Sequence, residues 1–187
     1  MKIVYDTEFI DTGRVIDLVS IGAVREDGVE YYAVSNEFDR AAMRASDWMM
    51  ANVWPHLPLI DWSTQPRPLA AEHFSLAVGV ELDIAHPDVK DRATIADELL
   101  RFLTVDGTDG SPEVWAWYDA HDFIALTQLW GPLNQLPKML PKYGRDLKQE
   151  YDRQGLTWKP PDEPDAHDAL ADARWNVKMA RLLGIFR

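Results

Sequence analysis

Three strand-like runs lie close together at the start of the chain, and this spacing constrains the fold more than any other feature. The runs are rich in β-branched and aromatic residues and cover residues 2–9, 15–24 and 29–35, with Gly28 at the second turn. Connections this short favour an antiparallel meander. The chain is therefore expected to begin with three antiparallel strands of a sheet.

The rest of the chain alternates helical patterns with one further strand. Residues 55–70 carry four prolines and are predicted as a loop, whereas residues 74–84 fit a strand or a helix. We expect a single α/β domain over residues 1–187, with a mixed sheet and a loop or insertion around 55–90. Apolar spacing and capping residues predict helices at 46–53, 91–103, 121–130, 145–154 and 168–183, and a fourth strand at 113–118.

The composition excludes several classes of protein. Hydrophobic residues make up 47% and charged residues 27% of the 187 residues, as in soluble globular proteins. No apolar run approaches the roughly 20 residues that a membrane span needs. Cysteine is absent, so any metal must be held by oxygen or imidazole ligands, which favour hard cations such as Mg²⁺ or Mn²⁺. Met1 and Lys2 lead directly into the first strand, so we expect no signal peptide and a cytoplasmic protein.

The charge of the chain limits how it could bind nucleic acid. A net charge of -12 argues against a broad phosphate-binding surface, because such surfaces are cationic. It still allows a small site that binds only a strand end through metal ions. Between Lys138 and Lys159 there are six basic and three acidic residues, which predicts either a solvated helix face or a local phosphate-binding strip.

Two carboxylates in the first strand indicate a cation site. Asp6 and Glu8 are separated by one residue, so their side chains leave the same face of a strand about 7 Å apart. Two carboxylates this close repel each other unless a proton or a cation lies between them. The pair is a candidate metal clamp.

Two further carboxylates fall on apolar helix faces. Asp122 shares the apolar stripe of helix 121–130, which favours it over Asp119, and Asp172 lies on the inward face of the closing helix. His167, on the loop before that helix, can share a site with Asp172. Each residue alone could serve as a cap, an ion-pair partner or an incidental loop residue. Together, one shared pair of divalent cations explains them more simply.

These residues resemble a known family pattern. Asp6-x-Glu8 on the first strand, Asp122 after the fourth strand and His167 with Asp172 at the closing helix resemble the DEDDh 3′–5′ exonucleases of the ribonuclease-H-like superfamily. The chain is also similar to the bacterial polyadenylate-specific 3′-exoribonuclease AS subfamily, although residues 62–90 look longer than in that subfamily. The matching segments are YDTEFIDTGRVIDLVSIGAVREDG, EYYAVSNEFD, VDGTDG, VWAW, ALTQLWGPL and HDALADAR.

The resemblance implies a fold and a mechanism. It implies a ribonuclease-H-like α/β fold, with a mixed five-stranded sheet flanked by helices and its second strand antiparallel. It also implies a 3′–5′ exoribonuclease that uses two Mg²⁺ or Mn²⁺ ions, acts on single-stranded RNA or a 3′ overhang, and forms a homodimer. In this hypothesis the metal ligands are Asp6, Glu8, Asp122 and Asp172, Asp6 bridges both ions, and His167 is the general base.

Substrate contacts are less strongly indicated. Phe9 and Ile10 follow the carboxylate strand and are candidates for contact with terminal bases, or else for core packing. Trp130 and Trp158 are candidates for base stacking. Lys142, Arg145 and Lys148 are candidates for backbone phosphates. The competing functions are a DNA-preferring exonuclease, an endonuclease of the same superfamily, a hydrolase of small nucleotides, and an inactive nucleic-acid-binding module with this fold.

Overall fold

The computed structural model describes residues 1–63, 79–104, 111–161 and 166–186. Several expectations concern residues outside these ranges. They include the middle of the predicted 55–90 loop or insertion, at residues 64–78, and the VDGTDG segment at residues 105–110. The predicted loop around Pro164 is also outside in part.

The predicted antiparallel meander is confirmed. It consists of β1 (Lys2–Asp11), β2 (Ile16–Arg25) and β3 (Glu30–Ser35). β1 pairs antiparallel with β2, with a register shift between Glu8 and Phe9, and β2 pairs antiparallel with β3. The residues of β2 are almost all buried, as expected for a strand covered on both faces.

The main sheet has six strands in the described residues, so the expectation of five was wrong. Besides the meander, the strands are β4 (Leu59–Asp61), β5 (Val80–Leu82), β6 (Val89–Lys90), β7 (Glu113–Ala116) and β8 (Arg145–Asp146). β6 and β8 have two residues each, too few for a periodic pattern to reveal them. β7 is parallel to β1, so the sheet is mixed, as predicted. The order in the main sheet is β6-β3-β2-β1-β7-β8, and β4 and β5 form a separate antiparallel pair.

Side-chain caps open several of the helices, and the sequence indicated two of them, Ser46 and Asp168. These two side chains and that of Asp91 accept hydrogen bonds from backbone N–H groups of the following turn. A short first helix capped by Asp39 was not predicted. The helices are α1 (Arg40–Ala45), α2 (Asp47–Asn52), α3 (Arg92–Leu103), α4 (Ala120–Gln128), α5 (Leu147–Arg153) and α6 (Ala169–Leu182), with 3₁₀ turns at Trp54–His56 and Leu133–Gln135.

Helices cover both faces of the sheet, and this decides where the side chains of β1 point. Ile3 and Tyr5 lie in the core shared with α3 and α4, whereas Val4 lies in the core shared with α5 and α6. Alternation along the strand therefore directs Asp6 and Glu8 toward the α6 side and Thr7 toward the α4 side. Within the described ranges, we find no helix long and apolar enough to span a bilayer.

Candidate metal and active site

The site lies where β1 continues past the end of β7. The parallel pairing of these strands extends to Val4 and Trp115, and β7 ends at Ala116. Beyond that point the edge of β1 that faced β7 contacts α4 instead of a strand. The Thr7 N–H and hydroxyl groups both donate to Asp122 Oδ1, at 2.9 and 2.6 Å. The Asp122 carboxylate is thus fixed beside the residue that separates Asp6 from Glu8.

The closing helix lies unusually close to the other face of β1 and β2. Gly22 is opposite Asp6 in the β1–β2 register, and a Cβ atom at this position would lie 2.2 Å from the carbonyl oxygen of Ala169. Only glycine allows α6 to begin this near the sheet. Further along α6, the buried Asn176 side chain donates through Nδ2 to the Tyr5 carbonyl at 2.9 Å. These two contacts hold the start of α6 against the strand that carries Asp6 and Glu8.

This packing brings three of the predicted site residues together. One potential ligand atom from each of Glu8, His167 and Asp172 lies within 4.8 Å of the others. The His167 backbone has a φ of 73°, in the left-handed region, and its N–H donates to Asp172 Oδ2 at 2.9 Å. Two carboxylates and one imidazole are a donor set that suits a divalent cation. Asp6 and Asp122 are not members of this group of three, and Asp122 reaches β1 at Thr7, between Asp6 and Glu8.

Burial makes the acidic site unfavourable without a cation. Asp122 is only 6% exposed, and burial raises its pKa to about 6, against the opposing effect of the Thr7 hydrogen bonds. Glu8 is 8% exposed. A cation among these carboxylates would favour their ionised forms and offset the cost of burying them.

A third buried carboxylate lies near the site. Asp119 is 7% exposed and its Oδ1 accepts a 2.6 Å hydrogen bond from the Tyr5 hydroxyl. Burial raises the pKa of Asp119 to about 7, partly opposed by that hydrogen bond. A Cβ atom at Gly144 would lie 2.0 Å from Asp119 Oδ2, so the carboxylate occupies space that a side chain would take. Asp119 therefore packs between β1 and the segment before β8, while Asp122 takes the position next to the acidic pair.

The structure places the predicted substrate contacts in different environments. Phe9 stacks on the exposed His121 at the start of α4, with ring centroids 5.7 Å apart. Ile10 is 7% exposed and belongs to the core beneath α1 and α2. Trp130 packs against the core on the α3–α4 side, and Trp158 packs edge-on against Tyr151 at 4.9 Å. Their contact with bases stays a prediction.

The three predicted phosphate contacts lie at or near β8 and α5. Lys142 is exposed. The Arg145 guanidinium lies over the rings of Trp115 and Tyr143, and Lys148 forms an ion pair with Asp152. Arg145 and Lys148 thus lie at the β7–β8 edge of the sheet.

Sequence reasoning missed several residues that shape the site. Thr7 has no recognisable motif of its own. The ring of Trp48 on α2 meets the His167 imidazole edge-to-face, with centroids 4.7 Å apart, and no pattern in the sequence links these two residues. Gly22 did carry a signal. A glycine inside an otherwise apolar strand often marks a close backbone approach, and here α6 makes that approach.

The chain is similar to a known family over nearly its whole length. A family model described as the 3'-5' exoribonuclease Rv2179c-like domain matches residues 1–183. Two relatives, named 3'-5' exoribonuclease MT2234.1 and 3'-5' exoribonuclease Rv2179c, come from two strains of Mycobacterium tuberculosis. Each is 42% identical over 183 residues, which cover 98% of this chain and 93% of the relative.

A solved structure, described as yeast NOT1 MIF4G domain co-crystallized with CAF1, contains a chain with a TM-score of 0.42 and 12% identity. The match covers 97% of this chain and 79% of that one. A likeness at that level carries no argument about fold or function. The match to the family model and to both relatives extends over nearly all of the sequence, and on that basis the chain belongs to the family of the Rv2179c-like 3'-5' exoribonuclease domain.

Proposed function

We propose that this protein is a metal-dependent 3′–5′ exoribonuclease that releases nucleoside 5′-monophosphates from RNA. The observation that carries the proposal is the grouping of Glu8, His167 and Asp172 within 4.8 Å, in a chain of this exoribonuclease family. We further assign the chain to the DEDDh branch of the ribonuclease-H-like superfamily, as a single domain. A homodimer and a cytoplasmic setting stay predictions.

The carboxylates would hold two Mg²⁺ or Mn²⁺ ions. Asp6, Glu8 and Asp172 leave β1 and α6 on the same side of the sheet, and Asp122 reaches β1 from α4 at Thr7. The residues fit such ions because carboxylate oxygens are the ligands that these hard cations prefer. Divalent ions held there would act as Lewis acids on the scissile phosphate and neutralise the charge that develops on it.

The other steps fall to residues of the chain. His167 lies on a loop whose backbone is fixed by its N–H bond to Asp172, so the imidazole is held beside the carboxylates. It would accept the proton of the water that attacks phosphorus. The bond from phosphorus to the 3′ oxygen then breaks, which leaves a shorter RNA with a free 3′ hydroxyl and a nucleoside 5′-monophosphate.

The acidic character of the chain fits this function when cations are counted. With a net charge of -12, the protein repels a polyanion at long range. Two divalent cations in the carboxylate cluster would neutralise its negative charge and offer coordination positions to the phosphate at the place where it must bind. Activity is therefore expected to vanish when divalent ions are removed.

The test compares four proteins on two RNA substrates. RNA labelled at its 3′ end should release a labelled mononucleotide first, and the same RNA labelled at its 5′ end should give a ladder that shortens with time. Asp6→Asn and Asp122→Asn should abolish both, whereas Asp97→Asn removes an acidic residue from the exposed side of α3 and should retain activity. Undiminished hydrolysis by Asp6→Asn, or by wild type in excess EDTA, would refute the proposal.

A further inference from the structure

An aromatic and cationic surface lies beside the site, at the β7–β8 edge of the sheet. Tyr118 and Tyr143 are 63% and 62% exposed. Arg145 Cζ lies 5.6 Å from the Tyr143 ring centroid and 5.3 Å from that of Trp115. Lys148 Nζ lies 5.2 Å from the ring centroid of Tyr151. We name Tyr118, Tyr143, Arg145 and Lys148 the edge surface.

The parallel pairing of β1 and β7 ends two residues before Asp6, so the segment that follows β7 begins close to the carboxylate strand. Val4 on β1 is opposite Trp115 on β7. Two residues further along the respective chain segments are Asp6 and Trp117, and the Trp117 ring lies 5.8 Å from the Tyr118 ring. Trp115 and Trp117 pack on the same side of the sheet as Val4. A polymer whose end lies at Asp6 can therefore continue over Tyr118.

The backbone of Tyr118 indicates that its exposed ring has a role outside folding. Its φ is 63°, a left-handed conformation that favours glycine and costs about 1 kcal/mol or more in other residues. A buried side chain could compensate for that cost, but this ring is mostly in solvent. Strain of this kind is concentrated at functional sites.

The cations of the edge surface are available to phosphates. Arg145 approaches Glu113 at 3.7 Å, with both side chains 38% exposed, and Lys148 pairs with the exposed Asp152. Exposed ion pairs contribute little stability, so a phosphate can replace either carboxylate partner at little cost. Exposed rings that stack on bases, combined with cations that contact the backbone, are the usual components of a single-strand binding surface.

We propose that the edge surface binds the single-stranded RNA upstream of the 3′-terminal nucleotide. This inference rests on the proposed exoribonuclease activity, since it takes the RNA 3′ end to lie at the carboxylates. Bases stack on Tyr118 and Tyr143, and Arg145 and Lys148 contact backbone phosphates. In a chain that is acidic elsewhere, this surface supplies the affinity for a long substrate.

The first test is the dependence of activity on RNA length. The variant Tyr118→Gly combined with Tyr143→Ala removes both rings and relieves the backbone strain at position 118, so it should fold. Its kcat/KM for an RNA of about ten nucleotides should fall tenfold or more, while that for a dinucleotide stays unchanged. Ile84→Ala removes an exposed side chain elsewhere and should behave as wild type, whereas Tyr118→Phe keeps a ring and should retain most of the kcat/KM for the long RNA.

The second test is the salt dependence of equilibrium RNA binding. Each phosphate contact with single-stranded nucleic acid contributes about 0.7 to the slope of log K against log salt concentration. Arg145→Gln and Lys148→Gln should each reduce that slope by about this amount. Lys178→Gln, on the exposed side of α6, should leave it unchanged. A merely structural role for Arg145 or Lys148 would not alter the slope.

Three results would overturn the inference. They are an equal loss of kcat/KM on the dinucleotide and the long RNA, no loss on either, or an unchanged salt slope. If that double variant sedimented differently from wild type while the dependence of kcat/KM on RNA length stayed unchanged, the edge surface would instead be a contact with a second copy of the chain. If wild type released no mononucleotides, the proposed function would fail, and the binding titration would still judge the edge surface separately.

Discussion

Replacing Asp119 by Asn should make the folded protein more stable at neutral pH and above. The substitution keeps the shape of the side chain and an oxygen that can accept from the Tyr5 hydroxyl, now at 2.6 Å from Asp119 Oδ1. It removes a carboxylate that is 7% exposed. Because burial disfavours the charged form, the folded chain binds the Asp119 proton more tightly than the unfolded chain does.

The size and the sign of the effect follow from the pKa. Burial raises the pKa of Asp119 from 3.8 to about 7. Between these values only the folded chain holds the proton, so stability falls as pH rises, by about 1.4 kcal/mol per pH unit. Across the window the loss is about 2–4 kcal/mol, with the lower end allowing for solvent screening. The Asp119→Asn variant has no carboxylate at this position, so its stability does not fall with pH for this reason.

Urea unfolding in EDTA, followed by circular dichroism between pH 4.5 and pH 8.5, measures the effect. The variant and wild type should have similar free energies of unfolding at the acid end of this range. As pH rises toward 8, the free energy of unfolding of the variant should increasingly exceed that of wild type. Subtracting the two profiles cancels the contributions of groups that do not interact with Asp119, whereas the nearby Asp122 still contributes to the difference. Asp97→Asn controls for the change in net charge. A difference between the Asp119→Asn and wild-type profiles that is constant with pH would refute the reasoning.

Substitutions at three further positions, Gly22, Thr7 and His167, test different parts of the site. Gly22→Ala should lower the free energy of unfolding, measured with urea, by about 3 kcal/mol, because its Cβ would lie 2.2 Å from the backbone of α6. It should also lower activity, because α6 must shift and Asp172 moves with it. An unchanged free energy of unfolding would show that α6 can move away from the sheet without cost. Thr7→Val should cost about 1–3 kcal/mol, since it leaves the buried Asp122 without its 2.6 Å donor, while Thr7→Ser should retain most of that stability. His167→Gln should lower kcat by about 10²–10⁴ with little change in the thermal stabilisation by Mn²⁺, and loss of that stabilisation would identify the imidazole as a ligand instead of a base.

The framework of the fold could be predicted from local patterns. The three strands of the meander and all five predicted helices have counterparts in the structure, and most of them carry a long apolar pattern or a capping residue. The strands of two residues could not be predicted, because pairing with β3 and β7 creates them and their own sequences do not. The sixth strand of the main sheet was missed for this reason.

The residues of the candidate site could be predicted from the sequence, but the contacts that hold them in place could not. The sequence indicates Glu8 by its spacing from Asp6, Asp172 by its inward helix face and His167 by its place on the adjoining loop, and the structure brings these three together. Their supporting contacts depend on tertiary packing. The hydrogen bonds from Thr7 to Asp122 exist only because β7 ends before β1 does, and no spacing in the sequence records where a neighbouring strand ends.

The most direct test is a crystal soaked with Mn²⁺ and a nucleoside 5′-monophosphate, with the metal located by anomalous scattering. We expect two Mn²⁺ peaks among the carboxylates of Asp6, Glu8, Asp122 and Asp172, with the phosphate of the nucleotide between them and its base directed away from the carboxylates. Mn²⁺ bound elsewhere, with these four carboxylates free of metal at saturating concentration, would contradict the proposed mechanism.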